Sequence, residues 1–188
     1  IVNVKTGVCA MVNAGDNVVH IYRARDGRMV KKEHPQAPAA GPMPSVLIEA
    51  KTPYKAVTER LERGDTLFLI TDGIEEAQRL FRGPDFETLS LERDEEFATD
   101  GETYKYTAGT TFEQFGIPRV QSIISAVYSR GTYELHRHHD PTPQERYEFD
   151  LSGCQGTVGE AVLALIAVQQ VFRLYLDPSA GPGDVIHV

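Results

Sequence analysis

A carboxylate follows an apolar run at residues 64–77, whose sequence is GDTLFLITDGIEEA. Residues 66–71 predict a strand that is buried on both faces, and Asp72 comes directly after it. One interpretation is that Asp72 caps a following helix while Gly73 allows the tight corner. The other is that a rigid sheet edge presents Asp72 to a hard divalent cation, which prefers oxygen ligands. From these residues alone, the capping interpretation is favoured.

A cation site needs more than one carboxylate, and Asp184 offers the second. It follows a breaker of glycine and proline at residues 181–183 and precedes a predicted strand at residues 185–188. Carboxylates at the ends of neighbouring strands can meet in space. Asp72 and Asp184 are therefore the candidate metal ligands.

The elements that would position these residues are mostly short. β-branched runs separated by turn residues predict an antiparallel meander and then a second hairpin that leads to Asp72. The predicted strands are residues 1–4, 8–12, 18–22, 57–61, 66–71 and 185–188. The predicted helices are residues 74–81, 112–128 and 158–176, the last with Thr157 as its cap. Between them lie a proline-rich surface loop at 34–44, an irregular connection at 83–109 with room for a short hairpin, and a polar stretch at 133–156. We expect residues 133–154 to lie at the surface and to be dispensable for the fold.

Bulk properties limit the class of protein. The 188 residues are 41% hydrophobic, enough for one substantial core, and the net charge of −8 argues against a nucleic-acid or anionic-membrane partner. We find no apolar run long enough to cross a bilayer. Cys9 and Cys154 lack metal-site spacing and are expected to be reduced thiols in a cytoplasmic protein.

The stretch LHRHHD at residues 135–140 suggests a different site. His136 with His138 or His139, together with Asp140, could bind zinc. Histidines in a polar insertion near prolines more often belong to a solvated loop, because tetrahedral sites usually draw their ligands from two anchored elements. A soluble α+β domain with a zinc-binding loop is therefore the weakest of the interpretations.

Several blocks and their order resemble a known family. The blocks are MVNAGDNVVHIYRARDG, LERGDTLFLITDGIEEAQ and FEQFGIPRVQSII, followed by a long helix and GPGDVIHV. They resemble the SpoIIE-like branch of the metal-dependent (PPM) serine/threonine protein phosphatases, of which residues 13–15, 64–73 and 113–116 match family patterns. The resemblance covers roughly residues 1–81, 112–128 and 157–188. Residues near 84–109 and 131–156 are then insertions within a partial SpoIIE-like domain that spans residues 1–188.

The resemblance implies a fold and a chemistry. The fold would be α+β, part of an α/β/β/α sandwich with mainly antiparallel sheets. Two Mn²⁺ or Mg²⁺ ions would lower the pKa of a water for attack on phosphoserine or phosphothreonine. Carried over to this sequence, Asp72 and Asp184 are metal ligands, and Thr71 and Gly73 support the site. The implied partner is a phosphorylated regulatory protein, such as an anti-sigma-factor antagonist in sigma-factor regulation.

The sequence departs from the family pattern in four places. It has neither the early Gly-Asp-x-x-Asp nor the Asp-x-x-Gly-His-Gly motif, Asp16 replaces a histidine, and Gly183 replaces an aspartate. We therefore expect the C-terminal portion of a phosphatase domain, which is inactive alone and self-associates through an exposed sheet edge. The alternative is a degenerate, non-catalytic signalling module of the same fold that binds a partner.

Overall fold

The computed structural model describes residues 1–15, 18–140 and 147–174. The chain divides into two compact units, Ile1–Ile70 and Thr71–Val188. Both contain helices and antiparallel strand pairs, which confirms the predicted α+β class. The sandwich arrangement stays a prediction.

The first unit contains six strands and one helix among its described residues. They are β1 (Val2–Asn3), β2 (Val8–Val12), β3 (Val18–Arg23), β4 (Arg28–Glu33), α1 (Ser45–Lys51), β5 (Ala56–Arg60) and β6 (Thr66–Phe68). One sheet has the order β1-β2-β5 and the other the order β4-β3-β6, and all pairs are antiparallel. The apolar side chains buried in this unit are Cys9, Val19, Ile21, Tyr22, Ile48 and Phe68.

Strand positions in the first unit are well predicted, but their partners are not. The first three strands are confirmed, and the β3–β4 turn contains Gly27 at a φ of 63°. β1 pairs with β2 as predicted. β2 also pairs with β5 rather than with β3, and β6 pairs with β3, so the meander beyond β2 and the second hairpin are wrong. The Asp65 carboxylate accepts hydrogen bonds from Arg23 and from the Ala24 N–H, which directs the chain after β5 onto β3. The loop at 34–44 is confirmed, whereas α1 was not predicted.

The second unit contains three antiparallel strand pairs and three helices among its described residues. They are α2 (Asp72–Glu75), β7 (Gln78–Leu80), β8 (Glu95–Thr99), β9 (Glu102–Tyr106), β10 (Phe112–Gln114), α3 (Ile117–Ser129), β11 (Thr132–Leu135), β12 (Tyr147–Asp150) and α4 (Val158–Arg173). β7 pairs with β10, β8 with β9, and β11 with β12. α3 packs against α4. The fully buried apolar side chains are Phe81, Phe115, Val120, Ile123, Ile124, Val127, Ala161, Val168 and Phe172.

Long-range pairing overrides the local helical pattern on either side of this core. The predicted helix at 74–81 is wrong, because α2 ends at Glu75 and β7 pairs with β10, with Arg79 opposite Glu113. For the same reason the predicted helix at 112–128 begins as a strand. Its helical part is α3, and the predicted apolar stripe of α3 is buried. The long helix is confirmed as α4, with a complete capping box between Thr157 and Glu160.

Two polar stretches contain more structure than expected. A hairpin, β8–β9, lies within 83–109, as the sequence allowed. The expectation that residues 133–154 lie at the surface is wrong for Tyr133 and Leu135, which are 5% and 2% exposed because β11 packs against α3. Cys9 and Cys154 are free thiols. None of the helices in the described ranges is long and apolar enough to span a bilayer.

Candidate functional site

Thr71, Asp72 and Gly73 form an exposed corner, which we call the Asp72 corner. β6 ends at Phe68, and Leu69 is 75% exposed, so the prediction of a strand buried on both faces as far as residue 71 is wrong. The N-cap of α2 is Thr71, without a side-chain cap bond, and Asp72 is the first helical residue. The Asp72 carboxylate makes no hydrogen bond or ion pair with any residue that the structure describes. It does not act as the helix cap.

The Asp72 corner fits one side of a hard-cation site. Its carboxylate is exposed and offers oxygen ligands, which Mn²⁺ and Mg²⁺ prefer. The space is open: a Cβ atom added at Gly73 would meet only the Thr71 Oγ1 atom, at 4.0 Å. Asp184 lies outside the described residues, so its approach to Asp72 stays a prediction. Asp16 also lies outside them.

The Asn13 turn is held by its own side chain. Asn13 Oδ1 accepts a hydrogen bond from the Gly15 N–H at 2.9 Å, and Nδ2 donates to the Pro35 carbonyl at 3.1 Å. This turn lines a cleft of about 430 Å³ within the first unit. The other lining residues are Gln36, Ala37, Pro38, Met43 and Thr52. Asn13 therefore shapes the cleft.

Asp65, seven positions before Asp72, is bonded on every side. Its carboxylate accepts from the Glu62 and Ala24 N–H groups, each at 3.0 Å, and from Arg23 at 2.7 Å. Burial alone would raise the pKa of this carboxyl, but the bonds from Glu62, Arg23 and Ala24 outweigh it and hold the pKa below 3.8. Asp65 is a structural residue of the turn.

Arg79, Glu113 and Arg119 form a buried ionic group, which we call the arginine–glutamate centre. The three side chains are at most 2% exposed. Glu113 Oε1 accepts from Arg79 Nη2 at 2.6 Å, and Oε2 accepts from Arg119 Nη2 at 3.0 Å. A buried carboxylate needs such partners, because an uncompensated charge in the interior is costly. The centre joins β7, β10 and α3.

The centre also fixes the loop at residues 136–140. Arg119 donates to the His136 carbonyl at 2.9 Å, and Arg79 donates to the His138 carbonyl. The His138 N–H donates in turn to Glu113 Oε1 at 3.0 Å. The loop is therefore anchored to the buried interior.

A second anchor lies between these contacts. The Arg137 guanidinium donates to the carbonyls of Val171 and Leu174 at 3.1 and 2.5 Å, where α4 ends. It also pairs with Asp140 at 2.5 Å and donates to Tyr147. A cation is favourable at a helix C-terminus. The expectation that the histidines belong to a solvated loop holds for His136, which is exposed, and is wrong for His138 and His139, which are half-buried. Arg137 between them is 8% exposed.

Glu95, His138 and His139 form a group that we call the histidine cluster. Glu95 Oε2 lies 2.9 Å from His138 Nε2 and 3.0 Å from His139 Nε2. The hydrogen bond with His139, and then the one with His138, hold the pKa of the Glu95 carboxyl below its ordinary value. Burial lowers the pKa of the His138 imidazole, and the charge of nearby His139 acts in the same direction. Both effects favour the neutral form of His138.

Sequence reasoning named His138 and His139 but missed Glu95, which replaces the expected Asp140. The available signal was the Asp100-Gly101 pair, which is typical of a tight hairpin turn and has both residues at positive φ. Phe97 precedes this turn, and Tyr104 and Tyr106 alternate with other residues after it. A hairpin at this turn puts Glu95 on the aromatic face, but the sequence does not say which loop covers that face.

These features define an α+β protein with a free carboxylate corner and a separate buried ionic centre. The model of the family Stage II sporulation protein E (SpoIIE) matches residues 1–114, which is more than half of the chain. The chain belongs to the SpoIIE family and contains a domain related to the PPM phosphatases. The match includes the Asn13 turn, the Asp72 corner and Glu113, and it ends before the two histidines of the cluster. Searches of the curated proteins and of the solved structures found no match.

Proposed function

We propose that this chain carries the C-terminal portion of a SpoIIE-type phosphatase domain. The complete domain would remove phosphate from phosphoserine or phosphothreonine of a regulatory protein, such as an anti-sigma-factor antagonist. The observation that carries the proposal is the free carboxylate of Asp72 within the family match. Other matched carboxylates, Asp65 and Glu113, are committed to bonds inside the fold.

Asp72 and Asp184 would hold Mn²⁺ or Mg²⁺ in this function, with Thr71 and Gly73 shaping the corner. When bound, two such ions neutralise phosphoryl oxygens and lower the pKa of a water molecule. The contribution of Asp72 is to keep an ionised oxygen ligand exposed on the first turn of α2.

The motif order supports the C-terminal assignment. The blocks found here are those of the second half of the family pattern, while Gly-Asp-x-x-Asp and Asp-x-x-Gly-His-Gly do not occur in the sequence. An ion-bridging aspartate would then come from the other half of the domain. We accordingly expect the isolated chain to bind Mn²⁺ weakly and to turn over no phosphoester. We also expect it to self-associate in light-scattering measurements.

Reconstitution with the missing half tests the proposal. The chain is assayed with p-nitrophenyl phosphate and a phosphoserine peptide in millimolar Mn²⁺, alone and after addition of the upstream half of the domain. We expect turnover only in the mixture, and we expect Asp72→Asn to abolish it. The matched control is Asp85→Asn, which makes the same change at another exposed carboxylate. Turnover by the isolated chain, or an active Asp72→Asn mixture, would contradict the proposal.

A non-catalytic signalling module is the second candidate. The replacements at positions 16 and 183 favour it, since the family has a histidine and an aspartate there. An inactive mixture that still binds the phosphorylated regulatory protein would support this candidate.

A further inference from the structure

We propose that Glu95, His138 and His139 form a binding site for a transition-metal ion of the Zn²⁺ type. This site is separate from the Asp72 corner and uses a different ligand chemistry. Two imidazole nitrogens and one carboxylate oxygen suit Zn²⁺, whereas Mg²⁺ and Mn²⁺ favour an all-oxygen environment. The proposal does not depend on phosphatase activity.

The ligand atoms are already close to the spacing that an ion requires. Ligands of a tetrahedral Zn²⁺ lie about 2.0–2.2 Å from the metal, which puts neighbouring ligand atoms about 3.3 Å apart. Glu95 Oε2 lies 2.9 and 3.0 Å from the two Nε2 atoms. One ligand atom from each residue falls within 4.8 Å of the others. Small side-chain adjustments would complete the three-ligand set.

The backbone at His139 brings the two rings together. Successive side chains of an extended chain point in opposite directions, which would separate adjacent histidines. His139 instead has a φ of 47°, in the left-handed region that L-residues rarely adopt, and the two ring centroids are 4.1 Å apart. An L-residue adopts this conformation only at an energetic cost, so the surrounding structure must maintain it.

Two anchored elements maintain this arrangement. Glu95 begins β8, whose pairing with β9 fixes its position opposite Tyr106. The histidines lie on the loop that the arginine–glutamate centre holds through the His138 N–H and carbonyl groups. Tetrahedral metal sites typically draw their ligands from two anchored elements. The sequence alone did not indicate that the histidines and Glu95 meet this condition.

Aromatic rings restrict the His138 imidazole further. It stacks on Phe97 with centroids 4.9 Å apart and on Tyr106 at 5.5 Å, and Phe81 meets it edge-on at 5.4 Å. This packing limits ring rotation, so the Nε2 atom stays directed at Glu95. A preorganised ring loses little freedom when it binds an ion.

Metal binding would replace hydrogen bonds with coordination. Because an ionised carboxylate can only accept, the contacts of Glu95 Oε2 with the two Nε2 atoms assign a proton to each Nε2. In the metal form, each neutral imidazole carries its proton on Nδ1 and gives the Nε2 lone pair to the ion. No oxidation change or covalent step is involved. Three protein ligands leave a fourth position for water or another small ligand.

Metal titration of the tag-free chain tests this site. We expect one Zn²⁺ per chain by calorimetry, bound at least about 10-fold more tightly than Mn²⁺, which is weakest in the divalent series. Co²⁺ bound at the histidine cluster should show the visible d–d absorption that is typical of a low coordination number. Zn²⁺ should also raise the melting temperature, because the ion would join the β8–β9 hairpin to the loop. Absence of Zn²⁺ binding by the wild-type chain would overturn the proposal.

Two ligand variants and two controls identify the ligands. His139→Gln and Glu95→Gln should each weaken Zn²⁺ binding by at least about 100-fold, since loss even of residues behind the ligands costs about 10–100-fold. His136→Gln is the matched control, because it alters an exposed histidine of the same loop that lies outside the cluster. Asp72→Asn should leave Zn²⁺ binding unchanged, which separates this site from the phosphatase proposal. Wild-type affinity in both ligand variants, or equal loss in His136→Gln, would overturn the assignment.

Discussion

The Asp65 turn and the Asp72 corner lie seven residues apart in one family block, yet they treat their carboxylates in opposite ways. Asp65 accepts three different donors and its side chain is 2% exposed. The Asp72 side chain is exposed, and its carboxylate makes no hydrogen bond or ion pair within the described part of the chain. A residue of a family pattern can therefore hold the fold or remain available to a ligand, and its bonds distinguish the two roles.

The second unit repeats the contrast. Glu113 is fully buried between Arg79 and Arg119, and it also accepts the His138 N–H. Removing a bonded carboxylate should unfold structure, whereas removing the free one should alter only ligand binding. The following predictions test that difference, from the largest expected effect to the smallest.

Glu113→Gln should give the largest loss. The change leaves two buried guanidinium groups without their carboxylate, and breaking a buried ion pair costs about 3–5 kcal/mol. Urea unfolding followed by circular dichroism measures the free energy of unfolding. A loss of unfolding free energy below about 1 kcal/mol would mean that Glu113 is not buried and paired with both arginines as described.

Gly116→Ala should be the next most harmful change. Gly116 has φ 77° and ψ 152°, a region that only glycine adopts readily, and an added Cβ would lie 2.6 Å from the Tyr104 Oη atom. The backbone strain alone costs about 1–3 kcal/mol. Gly153→Ala is the control, since nothing lies within 4 Å of its added Cβ. Equal unfolding midpoints for the two variants would refute the close contact.

Asp65→Asn should destabilise the chain by about 1–3 kcal/mol at neutral pH, because hydrogen bonds to a charged acceptor are lost. Since the folded-state pKa lies below 3.8, the stabilisation is present above pH 3.8 and is lost as the pH falls through the folded value. Urea unfolding of the wild-type and Asp65→Asn chains is measured at pH values above and below 3.8. The difference between their free energies of unfolding should shrink below pH 3.8. A constant difference would argue that the charge of Asp65 is irrelevant.

Asp72→Asn should change stability least, by no more than about 0.5 kcal/mol, as expected for an exposed side chain without partners. Thermal melting beside the Asp85→Asn control measures the shift. A loss comparable to that of Asp65→Asn would show that Asp72 also holds the fold.

Local sequence signals predicted the positions of those strands and helices whose sequence pattern lies within a few consecutive residues. Thr157 and Glu160 specify the start of α4 within four residues, and the short β-branched run at 8–12 between turn residues predicts β2. The segment at 74–81 failed because its structure depends on Arg79 meeting Glu113, 34 positions later. No local period encodes that pairing.

The candidate sites follow the same rule. Asp72 was identifiable because its signal, a carboxylate after an apolar run, is contiguous. Glu95 was missed because it meets His138 only after the β8–β9 hairpin and the arginine–glutamate centre have formed, across 43 positions. Long-range contacts of this kind depend on the tertiary packing.

The central claim is that the free carboxylate of Asp72 is a ligand for the catalytic cation. Electron paramagnetic resonance titration of Mn²⁺ into the complete domain measures this directly by counting bound and free ions. We predict at least about 10-fold weaker Mn²⁺ binding in Asp72→Asn, since loss of a ligand exceeds the effect of losing a residue behind it, and wild-type binding in Asp85→Asn. Unchanged Mn²⁺ binding in a folded Asp72→Asn domain would contradict the claim.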